Sequence, residues 1–355
     1  MPTSYTPLDL EIQEFSDYDL IIDARSPREF SHDHLPGAKN YPVVNDNEYA
    51  QVGTLHRHDT HKAYLIGVTH SLRNMATWIE EISDRCGPRS KILVYCFRGG
   101  KRSKLWADNL RTIGFKVDLL RGGWKAYRRW VIGGLELTPR LFDFKVLEGP
   151  TGSGKTRLLK ALNEAGAQVL DLEALALHRG SLIGALPGMA QPSQKDFDSQ
   201  LLATLRAMDP SKPIFIEAES KKIGNVQLPE ALMEAMQNGS MIRITAPMEE
   251  RLKVWREDFA HFEADPMALL QKLEHLRPMV GNSAVNHWHE LASQQQIVKV
   301  FEELMVLHYD PAYERSNRRV YEGWNDLPTL EVKSLNHEHL IEVAKALISK
   351  HISEG

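Results

Sequence analysis

Short runs of apolar residues alternate along this chain with stretches whose apolar positions recur every three to four residues, the pattern of buried strands followed by covering helices. YDLIID at 18–23 reads as a buried strand closing on an acid. ARSPREFSHDHLPGAKNYPV then reads as a turn, a short helix around 27–31 and a loop marked by Pro36 and Gly37. Residues 52–67 bring together His56, His58, His61, Arg57 and Lys62. Without cysteine ligands or a carboxylate pattern they read as a solvated or substrate-facing loop rather than a metal site. Leu72, Met75, Ala76, Ile79 and Ile82 share one helical face over 71–85, stopped by Gly87 and Pro88. A strand at 91–95 leads to a helix beginning near Lys101, with Leu105, Trp106, Leu110 and Ile113 on one side. A strand at 116–120 is followed by Gly122 and Gly123, which open a helix carrying Trp124, Tyr127 and Trp130. This alternation predicts an α/β domain with a largely parallel sheet.

VIGGLELTPR at 131–140, with its glycine pair and proline, reads as a linker to a second α/β domain. There DFKVLE runs into GPTGSGKT at 149–156, and RLLKALNEAG continues as a helix. Strand, GxxxxGK[ST] and helix together define a phosphate-binding loop. Gly149, Gly152, Ser153 and Gly154 let backbone amides wrap phosphate oxygens, Lys155 reaches across them, and the Thr156 hydroxyl can hold Mg²⁺. The motif says polyphosphate without saying which, or whether it is hydrolysed. Further strands are expected at 168–172, 213–220 and 241–245, with LEVKSL near the end supplying one more strand or an edge. Asp171, with Glu173 nearby, and Glu217 and Glu219 stand at strand ends, placed to bind Mg²⁺ or water. Amphipathic helices fill 249–308, and a final helix over 337–353 buries Leu340, Ile341, Val343, Ala344 and Leu347. The predicted architecture is thus an α/β domain over 1–135 and a P-loop α/β domain with a helical part over 136–355.

The strand at 91–95 delivers Cys96 to a loop containing Arg98, Gly99, Gly100, Lys101, Arg102 and Ser103, with a helix N-terminus just beyond. Unpaired amides at a helix start hold anions, and a thiol facing them beside cations ionises below its usual value. The thiolate is a nucleophile, so Cys96 is expected to attack a substrate and carry part of it covalently. Cys86, after a helix and before Gly87 and Pro88, reads as a bystander.

Composition narrows the picture only a little. Two cysteines exclude a disulfide scaffold, and a free thiolate implies a reducing compartment. A net charge of −4 gives no global bias toward nucleic acid. The first residues show no basic segment followed by an apolar core, and no apolar run approaches a membrane span; a cytoplasmic protein is expected, without membrane contact and monomeric. Between 98 and 130, ten basic residues face two acids, Asp108 and Asp118, with Trp106, Trp124, Tyr127 and Trp130 interleaved. That stretch reads either as a surface for phosphate contacts and base stacking or as core aromatics beneath solvated charges.

IIDARSPREFSHDHLPGAKNYP, VYCFRGGKRS and LLRGGWKAYRRW resemble, in order and spacing, three signatures of rhodanese domains over about residues 10–135. In that family the loop cysteine takes a chalcogen atom and passes it on. Five residues separate Cys96 from Arg102, which Ser103 follows: one residue more than in many sulfur-carrying loops, and the spacing also found in tyrosine phosphatases. Tyr95 stands where phosphatases usually have histidine. DLEALALHRGSLIG, IEAESKKIG and HYDPAYERS, with VGTLHRH, extend the resemblance over the whole chain to the bacterial tRNA 2-selenouridine synthase family.

The resemblance implies conversion of wobble 2-thiouridine in tRNA to 2-selenouridine. It further implies selenophosphate, supplied by its synthetase, as selenium donor, and geranyl diphosphate for an S-geranyl intermediate; no tightly bound cofactor is expected beyond Mg²⁺. In this chain Cys96 would attack selenium and carry it, with departing phosphate held by Arg98, Lys101 and Arg102, while 149–156 would bind geranyl diphosphate. ATP or GTP is the rival ligand of that loop. The rival functions are a sulfurtransferase or phosphatase with a regulatory nucleotide-binding domain, and a nucleotide sensor.

Overall fold

The computed structural model describes residue 12, residues 14–320 and residues 327–352. The chain divides into two compact units: one runs to Leu137 and includes Pro192–Thr204, the other comprises Thr138–Gln191 and the chain from Leu205 onward.

In the first unit, β1 (Leu20–Asp23), α1 (Pro27–His32), β2 (Lys39–Asn40), α2 (Asp46–His56), α3 (Thr60–Arg85), β3 (Lys91–Tyr95), α4 (Lys101–Ile113), β4 (Lys116–Leu119) and α5 (Gly123–Leu137) follow one another. All strand pairs are parallel, in the order β2-β1-β3-β4. The pairing Asp23↔Tyr95 brings the carboxyl ends of β1 and β3 level, so Cys96 leaves the sheet beside the acid that ends β1. Leu20, Ile22, Ile92 and Val94, alternating along their strands, share a core with Met75, Ile82, Trp106 and Leu110 of the helices.

Two expectations are corrected here. Residues 52–67 are mostly helix: Asn45 and Glu48 form a capping box that starts α2, and Asp59 accepts the Lys62 amide to start α3. The stretch 131–140 is no flexible linker, because α5 runs to Leu137 and a 3₁₀ turn, Thr138–Leu141, follows. Gly133 and Gly134 are buried, and a Cβ on Gly134 would come within 2.7 Å of Leu202, so this glycine serves close packing.

Residues 192–204, expected with the second half, belong to the first unit. They carry most of α8 (Gln194–Arg206), and the reason is visible in their contacts. Arg128 of α5 donates to Asp198 (2.8 Å) and Ser199 (3.0 Å), and the Ser199 hydroxyl donates to Asp33 (2.9 Å). Burial raises the Asp33 pKa, against the Arg128 charge and these hydrogen bonds.

The second unit is built on β5 (Phe144–Glu148), α6 (Lys155–Glu164), β6 (Gln168–Leu170), α7 (Leu172–Ala176), β7 (Ile214–Glu217), a small antiparallel pair β8 (Lys222–Ile223) and β9 (Val226–Gln227), α9 (Glu230–Gln237) and β10 (Ser240–Thr245). The helical part follows: α10 (Met248–Asp258), α11 (Ala260–Ala264), α12 (Pro266–Leu273), α13 (Arg277–Val280), α14 (Asn282–Ser293), α15 (Ile297–Leu304), a π-helical turn (Met305–Tyr309) and α16 (Asp310–Val320). The chain then gives β11 (Thr329–Glu331), the edge strand expected from LEVKSL, and α17 (His337–Ile352). The expected last residue of that helix, Ser353, lies outside the described residues. The five-stranded sheet is parallel, ordered β11-β10-β5-β7-β6, with β5 at its centre. Leu158 and Leu162 of α6 share a core with Leu340, Ala344 and Leu347 of α17, while Trp255, Phe262, Leu269, Trp288 and Phe301 form a separate core in the helical part. Among the described residues no helix is long and apolar enough to cross a membrane.

Candidate active sites

The apolar run of β3 buries fully and sets Cys96 at the carboxyl end of an inner strand, where open parallel sheets place their ligands. Its sulfur accepts hydrogen bonds from the Gly100 amide (3.2 Å) and the Ser103 hydroxyl (3.3 Å). Burial alone would raise this thiol; hydrogen bonds from Ser103 and Gly100 and the Arg102 charge outweigh it, so its pKa is lowered. The loop is fixed by the turn before α5. A Cβ on Gly123 would lie 2.2 Å from the Cys96 carbonyl, and Gly123 holds a left-handed φ of +58°, so only glycine fits.

Of the three cations expected around the thiol, Arg102 is the one whose charge acts on it, and it is held by Glu29 at 2.5 and 3.3 Å. Lys101 stacks instead on the Tyr64 ring (3.3 Å to the centroid) and Arg98 on Phe97 (5.8 Å). Cys86 is free and buried, its thiol pushed up by burial.

The reading of the 98–130 stretch as a base-stacking surface is corrected. Trp106, Trp124, Tyr127 and Trp130 are all buried, so these aromatics are core. Arg128 is buried in its ion pair with Asp198. The sequence did not flag Arg25, which is buried, binds Asp23 at 2.6 Å and lies over the Tyr95 and Trp124 rings.

In the second unit, β5 runs straight into the phosphate-binding loop. Gly152 and Gly154 hold left-handed φ values of +76° and +89°, and a Cβ on Gly149 would meet the Ile244 carbonyl at 2.4 Å. Lys155 Nζ donates to the Gly149 carbonyl (2.6 Å), so the lysine rests on its own loop. Thr156 Oγ1 lies 3.1 Å from Glu217 Oε2 and 3.4 Å from Glu173 Oε2. Carboxylate oxygens of Glu173, Glu217 and Glu219 all lie within 4.8 Å of one another. Asp171 is corrected as a member of this group: its carboxylate caps α7, accepting the Ala174 amide at 2.8 Å, and Glu173 takes the place assigned to it.

Two helices of the helical part, α10 and α16, pin the loop. Buried Arg251 donates to the Thr151 carbonyl at 2.9 and 2.7 Å and pairs with Asp310. The Tyr313 hydroxyl accepts the Gly149 amide at 3.1 Å. Arg251 went unremarked in the sequence; Asp310 and Tyr313 lie in the HYDPAYERS string. Beside the loop opens a cavity of about 380 Å³, whose lining includes Val254, Trp255, Phe259, Tyr309 and Ala312 as well as Glu173, Glu217 and Glu219.

The acids suit a divalent cation. Burial and mutual repulsion raise Glu217 to about 8 and Glu219 to about 7, and Glu173 is raised as well. Buried Glu217 Oε1 and Ser153 Oγ have no hydrogen-bond partner among the described residues. A hard cation with oxygen ligands would relieve both conditions. Without it, the folded chain keeps protons on these carboxyls that the unfolded chain releases above the ordinary 4.5, so stability should fall as pH rises from about 4.5 to 8. Thermal melts in chelator should show this fall. Mg²⁺ at a hundredfold excess over its Kd should restore about 2.7 kcal/mol near pH 8. Glu217→Gln should flatten both effects.

A rhodanese-like domain with a loop cysteine of lowered pKa, joined to a P-loop domain with an acidic cluster, is the class of protein these two sites define. The family model described as a rhodanese-like domain matches residues 10–129, and that described as the tRNA 2-selenouridine synthase AAA domain matches residues 142–276. The chain is 35% identical to a tRNA 2-selenouridine synthase of Nitrosomonas europaea, over 74% of this chain and 69% of that protein. It is 37% identical to one from Marinobacter nauticus, over 67% and 65%. A third, from Shewanella oneidensis, is 31% identical over 90% of this chain and 94% of its own length. The chain belongs to the tRNA 2-selenouridine synthase family.

Proposed function

We propose that this chain replaces sulfur by selenium in the wobble 2-thiouridine of tRNA, with selenophosphate as selenium donor and an S-geranyl intermediate made from geranyl diphosphate. The observation that carries the reading is the presence on one chain of two unlike anion sites. One presents a thiolate to a compact anion; the other joins a diphosphate cradle to an apolar cavity wall. Direct exchange at C2 of the base would require sulfide to leave. Alkylation removes that difficulty: the thiouridine sulfur attacks the allylic carbon, the C–O bond breaks toward diphosphate, and the sulfur becomes part of a thiol leaving group. Lys155 and the loop amides take up the charge on the departing diphosphate; Thr156, Glu173 and Glu217 would hold a Mg²⁺ ion, which would supply further positive charge there. In the selenium step Cys96 is the nucleophile toward selenophosphate.

Nucleoside mass spectrometry of thiolated tRNA incubated with the protein tests the reading. 2-Selenouridine is expected only when both small substrates are present, and S-geranyl-2-thiouridine alone when selenophosphate is withheld. Conversion to 2-selenouridine without geranyl diphosphate would contradict it, as would an unchanged nucleoside pool with both supplied.

A further inference from the structure

A cation at the acids accounts for Glu217 and Ser153, but the cavity beside the phosphate-binding loop holds two further buried hydroxyls that it leaves unexplained. Tyr309 and Ser181 both belong to the lining, and Tyr309 Oη and Ser181 Oγ, shielded from solvent, have no hydrogen-bond partner among the described residues. Orphaned buried polar atoms are costly and rare in native folds, so two in one cavity point to a ligand that completes them. A geranyl chain has no polar atom to offer. A diphosphate belongs at the loop amides and Lys155.

The fold fixes both hydroxyls by other means. Tyr309 ends the π-helical turn after α15, a rare form of helix that recurs at functional positions. Only 8% exposed, it packs edge-on to Trp255 (centroids 5.6 Å), which rests in turn on Phe259 and Phe301. Burial pushes the phenol up to about 12, so it keeps its proton and remains a donor. The Ser181 hydroxyl and the Ile183 amide stand near enough to temper that rise, though neither meets the phenol at hydrogen-bonding geometry. Ser181 lies in a tight turn that uses up its backbone: its amide donates to the Arg179 carbonyl, and its carbonyl accepts the Gly184 amide. Only its side chain is spare. The preceding residue, Gly180, lies against the acids, since a Cβ there would come within 3.1 Å of Glu219 and 3.2 Å of Glu173. The hydroxyl pair is therefore next to the cation end of the cavity.

Neighbouring hydroxyls suit a ring edge that sets a carbonyl acceptor beside an N–H donor. A uracil-type base carries that edge at O4 and N3–H, and single-stranded RNA is read by such edge contacts together with stacking. The rings of His308 and Tyr313 also line the cavity and offer faces for stacking. We infer that Tyr309 and Ser181 hold the O4–N3 edge of the extruded 2-thiouridine, Tyr309 donating to O4 and Ser181 accepting from N3–H, so that the base is seated beside the geranyl donor. This rests on geranyl transfer to that base, as proposed above.

The test measures binding of two anticodon stem-loop RNAs to the full chain, with Mg²⁺ and inorganic diphosphate present and no geranyl donor. One RNA carries 2-thiouridine at the wobble position; the other carries its 4-deoxy analogue, which lacks O4. Wild type should bind the first on the order of 10-fold more tightly, the effect of one hydrogen bond. Tyr309→Phe should bind both alike. Ser181→Ala should weaken binding of the 2-thiouridine RNA by a similar factor. Because the phenol has no partner within the chain, Tyr309→Phe should melt no lower than wild type and bind geranyl diphosphate as tightly. Wild type that does not distinguish the two RNAs would overturn the proposal. So would Tyr309→Phe that still distinguishes them, whether the missing hydroxyl then shows itself in melting temperature, in geranyl diphosphate affinity or not at all. If the O4 preference is present and lost as described, yet no S-geranyl-2-thiouridine forms when geranyl diphosphate is supplied, the base site stands and the proposed function falls. If geranyl transfer proceeds while Tyr309→Phe keeps the preference, the function stands and this inference falls.

Discussion

Cys96→Ser is expected to stop selenium incorporation while S-geranyl-2-thiouridine accumulates, with the selenium step slowed by on the order of 10³-fold or more, the scale seen when a covalent nucleophile is removed. Serine is close to isosteric and keeps the hydrogen-bonding pattern of the loop, so the fold should survive. What disappears is the ionised nucleophile. The lowered thiol is sustained by Ser103, Arg102 and Gly100, and the same donors cannot ionise an alcohol near neutral pH. The wild-type selenium step should therefore lose rate as pH falls through a midpoint below the ordinary thiol value, and alkylation of Cys96 should follow the same midpoint. The geranyl step, which does not use this sulfur, should not share that dependence.

Lys155→Ala is expected to reduce geranyl transfer by roughly 10²–10³-fold, the cost of deleting one preorganised charge-stabilising donor. In the structure Nζ rests on the Gly149 carbonyl and lies 5.0 Å from the Tyr313 ring centroid. An arriving diphosphate exchanges that neutral partner for charged oxygens. The alanine variant keeps the glycine turns and the contacts of Arg251 and Tyr313 with the loop backbone, so its melting behaviour should change little while geranyl diphosphate affinity drops in titration calorimetry. Unchanged affinity would assign this loop to another ligand.

Both loops could be read from sequence because each depends on local features: an apolar run, a turn requiring glycine and a helix start, all within about fifteen residues. What sequence reasoning misplaced depends on packing from distant segments or on which of several nearby partners a side chain takes. Lys101 and Arg98 sit close to Cys96 in sequence, yet ring faces at Tyr64 and Phe97 hold them. The tryptophans of α5 follow helical spacing, and their burial, with ring contacts to Phe97, Phe15 and Tyr127, decided between core and surface. Asp171 and Glu173 are two residues apart; capping geometry took one and left the other facing Thr156. The glycine pair at 133 and 134 carries the composition of a linker, and only the approach of Leu202 from a distant segment explains it. Nothing local announces that 192–204 joins the first unit, since the buried Arg128, Asp33 and Ser199 contacts span more than sixty residues of chain.

The central claim is that two chemistries reside on two separate loops, and supplying the intermediate tests it directly. Lys155→Ala should make no S-geranyl-2-thiouridine from thiolated tRNA, yet convert tRNA already carrying that nucleoside to 2-selenouridine at close to the wild-type rate. Cys96→Ser should show the opposite pattern. If Lys155→Ala failed equally on the pre-geranylated tRNA, or Cys96→Ser turned it into 2-selenouridine, the division of labour would be wrong.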